Sequence, residues 1–148
     1  MHASTYERMA EFLIPPDDPK RPESFEKTGS YFFKGLDTLG VRYERITVPY
    51  GAGNLRALYY PGPQGAETKP LVIFGGGFDS ILEEYYPNFA EAAFKRGYSV
   101  LTYEGRGQGQ HCVSTALRTP RNGRSQLERR STSSSILMPS LRKLYLSA

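Results

Sequence analysis

The sequence predicts an α/β fold that is incomplete: two helices, an N-terminal hairpin and one βαβ unit, followed by a basic tail that adds no core. Three observations carry this. Two short apolar runs, Leu71–Phe74 and Ser99–Tyr103, each lead into glycines and flank a helical pattern, as parallel strands joined by a crossover helix do. A hairpin pattern precedes them, turning at Tyr50-Gly-Ala-Gly-Asn54. Composition then changes abruptly near residue 110. Residues 1–110 hold 12 Lys and Arg against 14 Asp and Glu, whereas residues 111–148 hold 7 against Glu128 alone, so the net charge of +4 belongs to the end of the chain. Of 19 aromatic residues only Tyr145 follows residue 110, and of 15 glycines only Gly123.

In chain order, Tyr6, Met9, Ala10 and Leu13 form the stripe of an amphipathic helix, which Pro15, Pro16 and Pro19 stop. A second helix reads from Ser24 as N-cap through Phe25, Phe32, Leu36 and Leu39, with Gly40 placed to close it. These make a helical appendage over residues 1–40. Val41–Val48 is rich enough in β-branched residues to be a strand, with Leu55–Tyr60 its antiparallel partner, and Pro61–Lys69 is a loop. Leu71–Phe74 has the continuous apolar character of a strand buried on both faces. Ser80 and Glu83 have the spacing of a capping box, and the helical pattern runs on across Pro87 to Gly97. The strand Ser99–Tyr103 completes the βαβ unit, in a sheet-forming region spanning residues 41–110. Residues 111–148, with the run Ser131–Ser135, are too poor in apolar surface to offset chain entropy and read as a disordered Arg/Ser-rich tail.

Composition also removes several classes of function. No run of 18 apolar residues offers a membrane helix, and Met1–Ala10 has neither a secretory nor a transit pattern, so the expectation is a cytoplasmic protein without membrane association. Cys112 has no second cysteine to pair with, and with His2 and His111 it does not make a zinc site, so neither an internal disulfide nor a structural metal is expected. The tail lacks the interleaved aromatic residues that stack bases, and no specific nucleic-acid binding is expected.

Glycines directly after a buried strand let backbone N–H groups face a bound anion. Gly75-Gly-Gly-Phe-Asp-Ser80 lacks the final glycine of a dinucleotide fingerprint and the Lys-Ser/Thr of a P-loop. An oxyanion is the other anion such a loop can serve. The segments Pro70-Leu-Val-Ile-Phe-Gly-Gly-Gly-Phe-Asp-Ser80, Glu83-Glu84-Tyr85 and Arg96–Gly109, the last ending in Glu104-Gly-Arg-Gly-Gln-Gly109, resemble the α/β-hydrolase superfamily. More narrowly, they are similar to the fungal polyketide-shortening hydrolases of pigment pathways and to the bacterial hydrolase of nicotine-derived diketones. The resemblance covers about residues 5–110, including the helices before the sheet. It implies cleavage of carbon–carbon or ester bonds in a small acyl or diketone substrate by a Ser/Asp/His triad, without a cofactor. It also makes the backbone N–H groups of Gly77 or, second, Phe78 vestigial oxyanion donors, with Gly76, Asp79 and Glu104 as candidate binding residues.

The rest of that machinery is not in this sequence. It has no Gly-x-Ser-x-Gly elbow, no aspartate after Asp79, and no histidine after the glycine loop except His111, within it. Ser114 lacks the flanking glycines of an elbow, and adjacent His111 and Cys112 point to opposite faces of an extended chain. Local roles also fit the candidates: Asp79 and Ser80 as helix caps, Glu83 and Glu84 as charges favoured at a helix N-terminus, and Glu104 as an anchor for loop amides rather than a substrate-facing carboxylate. The role of Arg106 stays open. The expectation is a truncated hydrolase-like chain without turnover, its tail the product of an altered reading frame or a retained intron after Gln110. The alternative is a non-enzymatic binding protein that uses the basic tail or an exposed sheet edge.

Overall fold

The computed structural model describes residues 1–50, 53–105 and 108–109. The tail from residue 111, with His111, Cys112 and Ser114, lies outside the described residues, as does Arg106. Helix α1 is His2–Leu13 and helix α2 is Lys20–Thr38. The sheet comprises β1 (Glu44–Tyr50), β2 (Gly53–Tyr60), β3 (Val72–Gly75) and β4 (Val100–Tyr103). Between β3 and β4, helix α3 (Leu82–Tyr85) continues through a π turn, Tyr86–Ala90, into α4 (Glu91–Lys95). Pro87 brings no N–H to that turn, and the helix widens there instead of breaking.

The strand order is β1-β2-β4-β3. The hairpin is antiparallel with Glu44 opposite Tyr59, β2 is antiparallel to β4, and β4 is parallel to β3, as a βαβ unit requires. Among the described residues β3 is an edge strand, and Ile73 is 38% exposed. The expected burial on both faces therefore holds for β4, where Val100, Leu101 and Thr102 are enclosed, and not for β3. On one face of the sheet a core gathers Phe32 and Leu36 of α2, Leu58 and Tyr60 of β2, Val100 of β4 and Leu82, Tyr85, Tyr86 and Ala90 of the crossover. Val48, Leu55, Ala57 and Leu101 form a smaller cluster. Each such large apolar side chain contributes about 1.5–3 kcal/mol by leaving water, which is what holds α2 against the sheet.

Three local expectations are corrected. Helix α2 begins at Lys20, so Ser24 is not its cap; it lies inside the helix, where its Oγ donates to Glu7 Oε1 at 2.7 Å and ties α2 to α1. The end of α2 is as expected: Gly40, at φ +65°, closes it with Gly40 N–H on Asp37 O and Val41 N–H on Leu36 O, the paired bonds of a Schellman motif. Before α3 the reaching-back carboxylate belongs to Glu84, whose Oε2 accepts the Ile81 N–H at 3.1 Å, while the Ser80 hydroxyl serves the glycine loop. The third correction concerns α1. Its apolar residues Tyr6, Met9, Phe12 and Leu13 are exposed, and the stripe it buries is Ser4, Arg8 and Glu11.

Candidate functional site

The segment Gly75–Ser80 leaves the carboxyl end of β3 and turns into α3. A Cβ on Gly76 would stand 2.5 Å from the Tyr85 ring and 2.6 Å from Ser80 Cβ, so only glycine lets the chain pass between them. A Cβ on Gly77 would meet Ser80 Oγ at 3.7 Å, an ordinary contact. The Gly77 N–H donates to that hydroxyl at 3.0 Å. The Phe78 N–H has no hydrogen-bond partner among the described residues, and the Phe78 side chain is 62% exposed. Of the two expected donors, then, Gly77 is engaged within its own loop, while the Phe78 N–H meets no acceptor among the described residues.

The loop's carbonyl groups are held from behind. Gln108 Nε2 donates to Gly76 O at 2.9 Å and also to Gly77 O, while Gln108 Oε1 accepts the Gly105 N–H at 2.7 Å. From the other side Arg8 Nη2 donates to Asp79 O at 2.6 Å. In the sequence Gln108 is only one member of the Glu104–Gly109 motif, with no role of its own, and Arg8 is not singled out. A glutamine in a glycine-rich loop carries no pattern of its own, and an arginine in a surface-looking helix reads as solvated.

Glu104 faces the interior, 1% exposed. Its Oε1 accepts the Leu82 N–H at 2.9 Å at the start of α3, and both its oxygens receive Arg56, from Nη2 at 2.7 Å and Nε at 2.9 Å. Arg56 also donates to both oxygens of Glu83, at 2.9 and 3.1 Å, and its guanidinium packs over the Phe25 ring. Backbone closes around this cluster: a Cβ on Gly109, at φ +49°, would sit 1.9 Å from Glu104 Oε1. Burial pushes the Glu83 carboxyl up, against the lowering influence of Arg56. Burial alone would pull the Arg56 guanidinium down, but the hydrogen bond to Glu104 and the two carboxylate charges outweigh it and hold it above its ordinary value. This cluster fixes the strand ends and the first turn of α3 beneath the loop. Its groups have their hydrogen-bonding capacity turned toward each other.

Beside the loop lies a groove of about 460 Å³, walled by Met9, Phe12 and Leu13 of α1 and by Asp79, Ser80 and Asn88 across from them. The exposed apolar stripe of α1 thus borders the same space as Asp79 and Ser80, at the end of the glycine loop. Among the described residues no group of three or more His, Cys, Asp and Glu side chains is arranged to hold a metal ion. No helix among them is long and apolar enough to cross a membrane.

No family model matches the chain. Hydrolase acrC of Aspergillus aculeatus is 41% identical over 125 residues, which cover 74% of this chain and 29% of that protein. Among solved structures, AbyA5 superposes with a TM-score of 0.59 at 27% identity, over 74% of this chain and 32% of its own. The 2,6-dihydroxy-pseudo-oxynicotine hydrolase gives a TM-score of 0.59 at 24% identity, over 72% of this chain and 29% of its own, a likeness of fold. The chain spans under a third of the length of each of these proteins. By its sequence relatives, its strand order and its superposition, the chain belongs to the α/β-hydrolase superfamily, alongside fungal hydrolases.

Proposed function

We propose that this chain forms the oxyanion side, and part of the substrate wall, of a serine-type hydrolase site for ester or carbon–carbon bonds in a small acyl or diketone substrate. The observation that carries the proposal is the Phe78 N–H. It is a backbone donor without a partner among the described residues, on a loop held by Gln108 and Arg8 and bordered by a groove with one apolar wall, Met9, Phe12 and Leu13. Attack of a serine hydroxyl on a substrate carbonyl moves an electron pair onto the carbonyl oxygen. An amide already fixed in position stabilises that charge without reorganising at the moment of reaction. Removing one such donor from a working site costs about 10²–10³ in kcat. Met9, Phe12 and Leu13 supply the apolar surface that the body of an acyl or diketone substrate would cover.

The sequence holds no Gly-x-Ser-x-Gly, so the chain alone binds without turning over. A further parallel strand, from an intact hydrolase chain, would pair at the open β3 edge, next to the loop. The test is a titration of the purified chain with phenylphosphonate, followed by amide resonances, together with an assay on p-nitrophenyl butyrate. The expected result is a saturable shift at Phe78 and no ester hydrolysis above the uncatalysed rate. Hydrolysis that Gly77→Pro abolishes would overturn the inactivity, and a Phe78 resonance indifferent to phosphonate would overturn the oxyanion role.

A further inference from the structure

The peptide planes of the loop show what aims its donors. Among the described residues there is no cis peptide bond, so the C=O of one residue and the N–H of the next point in opposite directions across each plane. Gln108 Nε2 takes the Gly76 carbonyl at 2.9 Å, and the N–H of that same plane, belonging to Gly77, points away from Gln108 to Ser80 Oγ at 3.0 Å. Gln108 Nε2 also takes the Gly77 carbonyl. By the same geometry the N–H of that plane, belonging to Phe78, is turned away from Gln108, and it meets no acceptor among the described residues.

We propose that Gln108 is the positioning residue of the oxyanion loop: by holding the Gly76 and Gly77 carbonyls behind the loop, it presents the Phe78 N–H in front of it. The proposal rests on the oxyanion reading above and adds the residue that makes that reading possible. The orientation of the side chain is fixed by its surroundings. Its Oε1 accepts the Gly105 N–H at 2.7 Å, so the amide nitrogen must face the two carbonyls; the reversed amide would set an oxygen against two oxygens. A primary amide on a two-methylene stem can accept one hydrogen bond and donate two in this arrangement. A carboxylate of the same length keeps the acceptor, loses both donors and repels the carbonyls. Asparagine falls one methylene short. Gln108 is nearly enclosed, and Gly105 leaves room for it, since a Cβ there would lie 3.2 Å from Gln108 Oε1. The same residue therefore couples the loop after β4 to the loop after β3, across the two parallel strands.

The experiment compares amide spectra of the full 148-residue chain with those of Gln108→Glu and Gln108→Met, first without ligand and then in a phenylphosphonate titration. Gln108→Met keeps the length of the side chain and introduces no charge, so it stands in if Gln108→Glu fails to fold. The expected result is that Gly77 and Phe78 resonances are displaced in both variants while those of the α2 and β4 core residues stay in place. In Gln108→Glu the Gly105 amide keeps its slow exchange, because a carboxylate oxygen still accepts it. Phosphonate affinity falls about ten- to hundredfold, the loss of one hydrogen bond to a charged group. Unmoved Gly77 and Phe78 resonances in a folded variant, or unchanged phosphonate affinity, overturn the proposal. A different result separates the two readings: if the parent chain ignores phosphonate but the variants still displace Gly77 and Phe78, the oxyanion role falls and the orienting role of Gln108 stands.

Discussion

The two helices before the sheet have the same kind of sequence pattern and opposite outcomes. Helix α2 turns its apolar residues Phe25, Phe32 and Leu36 inward, as amphipathic periodicity leads one to expect. Helix α1 turns its apolar residues outward and buries Ser4, Arg8 and Glu11. The difference lies in the partners available. Ser4 Oγ meets the carbonyl of Thr28, Glu11 is held between Arg8 and Arg21, and Arg8 reaches the Asp79 carbonyl and Glu84. A polar stripe can be the inner face of a helix when every group on it is satisfied, and the apolar stripe is then left for something else to cover. In α1 that stripe walls the groove beside the glycine loop.

The largest break in the comparison is expected in α2. Phe32 is fully enclosed and packs edge-on against Phe33, so Phe32→Ala removes a core ring and leaves a cavity. A loss of about 3–5 kcal/mol in urea unfolding is expected. If the loss is under a kilocalorie per mole, α2 is not the helix that carries the core. Next comes Arg8→Met, which leaves Glu11 buried with Arg21 as its remaining partner. Breaking a buried ion pair from one side costs about 3–5 kcal/mol, here near the lower end because Arg21 stays. The triple change Arg8→Met, Glu11→Leu and Arg21→Met should recover most of that loss, since it removes all three charges together. Failure to recover would mean that the Arg8 bond to the Asp79 carbonyl, not the ion pair, is what fixes α1.

A third prediction turns on pH and on the ground beneath α2, where Phe25 lies over Arg56 and Arg56 holds Glu83. Burial raises the Glu83 carboxyl above its ordinary value, so the folded chain takes up this proton more readily than the unfolded chain does. The stabilisation this gives is complete below the ordinary carboxylate range and is lost as pH rises through the raised value. In Glu83→Gln the side chain is neutral throughout. Urea midpoints measured across that window should therefore fall less steeply with rising pH in the variant than in the parent chain. Parallel profiles would show that Arg56 cancels the cost of burying this charge.

Much of the frame was legible because it rests on local chemistry. The glycines after β3, the βαβ spacing, the antiparallel pairing of β1 with β2 and the Gly40 helix end are all written in short segments, and each stands where expected. What could not be read was long-range polar pairing. Arg8 and Asp79 are 71 residues apart, and Arg56 and Glu104 are 48 apart, so no window along the chain shows them as partners. The same holds for Gln108 and Gly77, 31 residues apart. The candidate loop was thus visible as glycines, while the groups that orient it were not. The mistaken start of α2 has a different cause: Ser24 has the chemistry of a cap, but it found an acceptor in Glu7 on the neighbouring helix.

The smallest expected effect is the sharpest test of what the outward face of α1 is for. Met9 and Leu13 are 62% and 83% exposed, and replacing both by serine removes no packing from the described core. Surface changes of this kind move stability by about 0.5 kcal/mol or less, so the urea midpoint of Met9→Ser with Leu13→Ser should match that of the parent chain. A helix whose apolar stripe belonged to the folding core could not tolerate that pair. Binding should respond differently, because both side chains wall the groove. Phenylphosphonate offers its ring to that wall and its anion to the Phe78 amide, whereas inorganic phosphate offers the anion alone. The double variant should therefore lose affinity for phenylphosphonate, and its response to inorganic phosphate should be unchanged. Equal losses for the two anions would place the effect in the loop, and no loss for either would mean that the apolar face of α1 and the free amide of Phe78 do not serve one ligand.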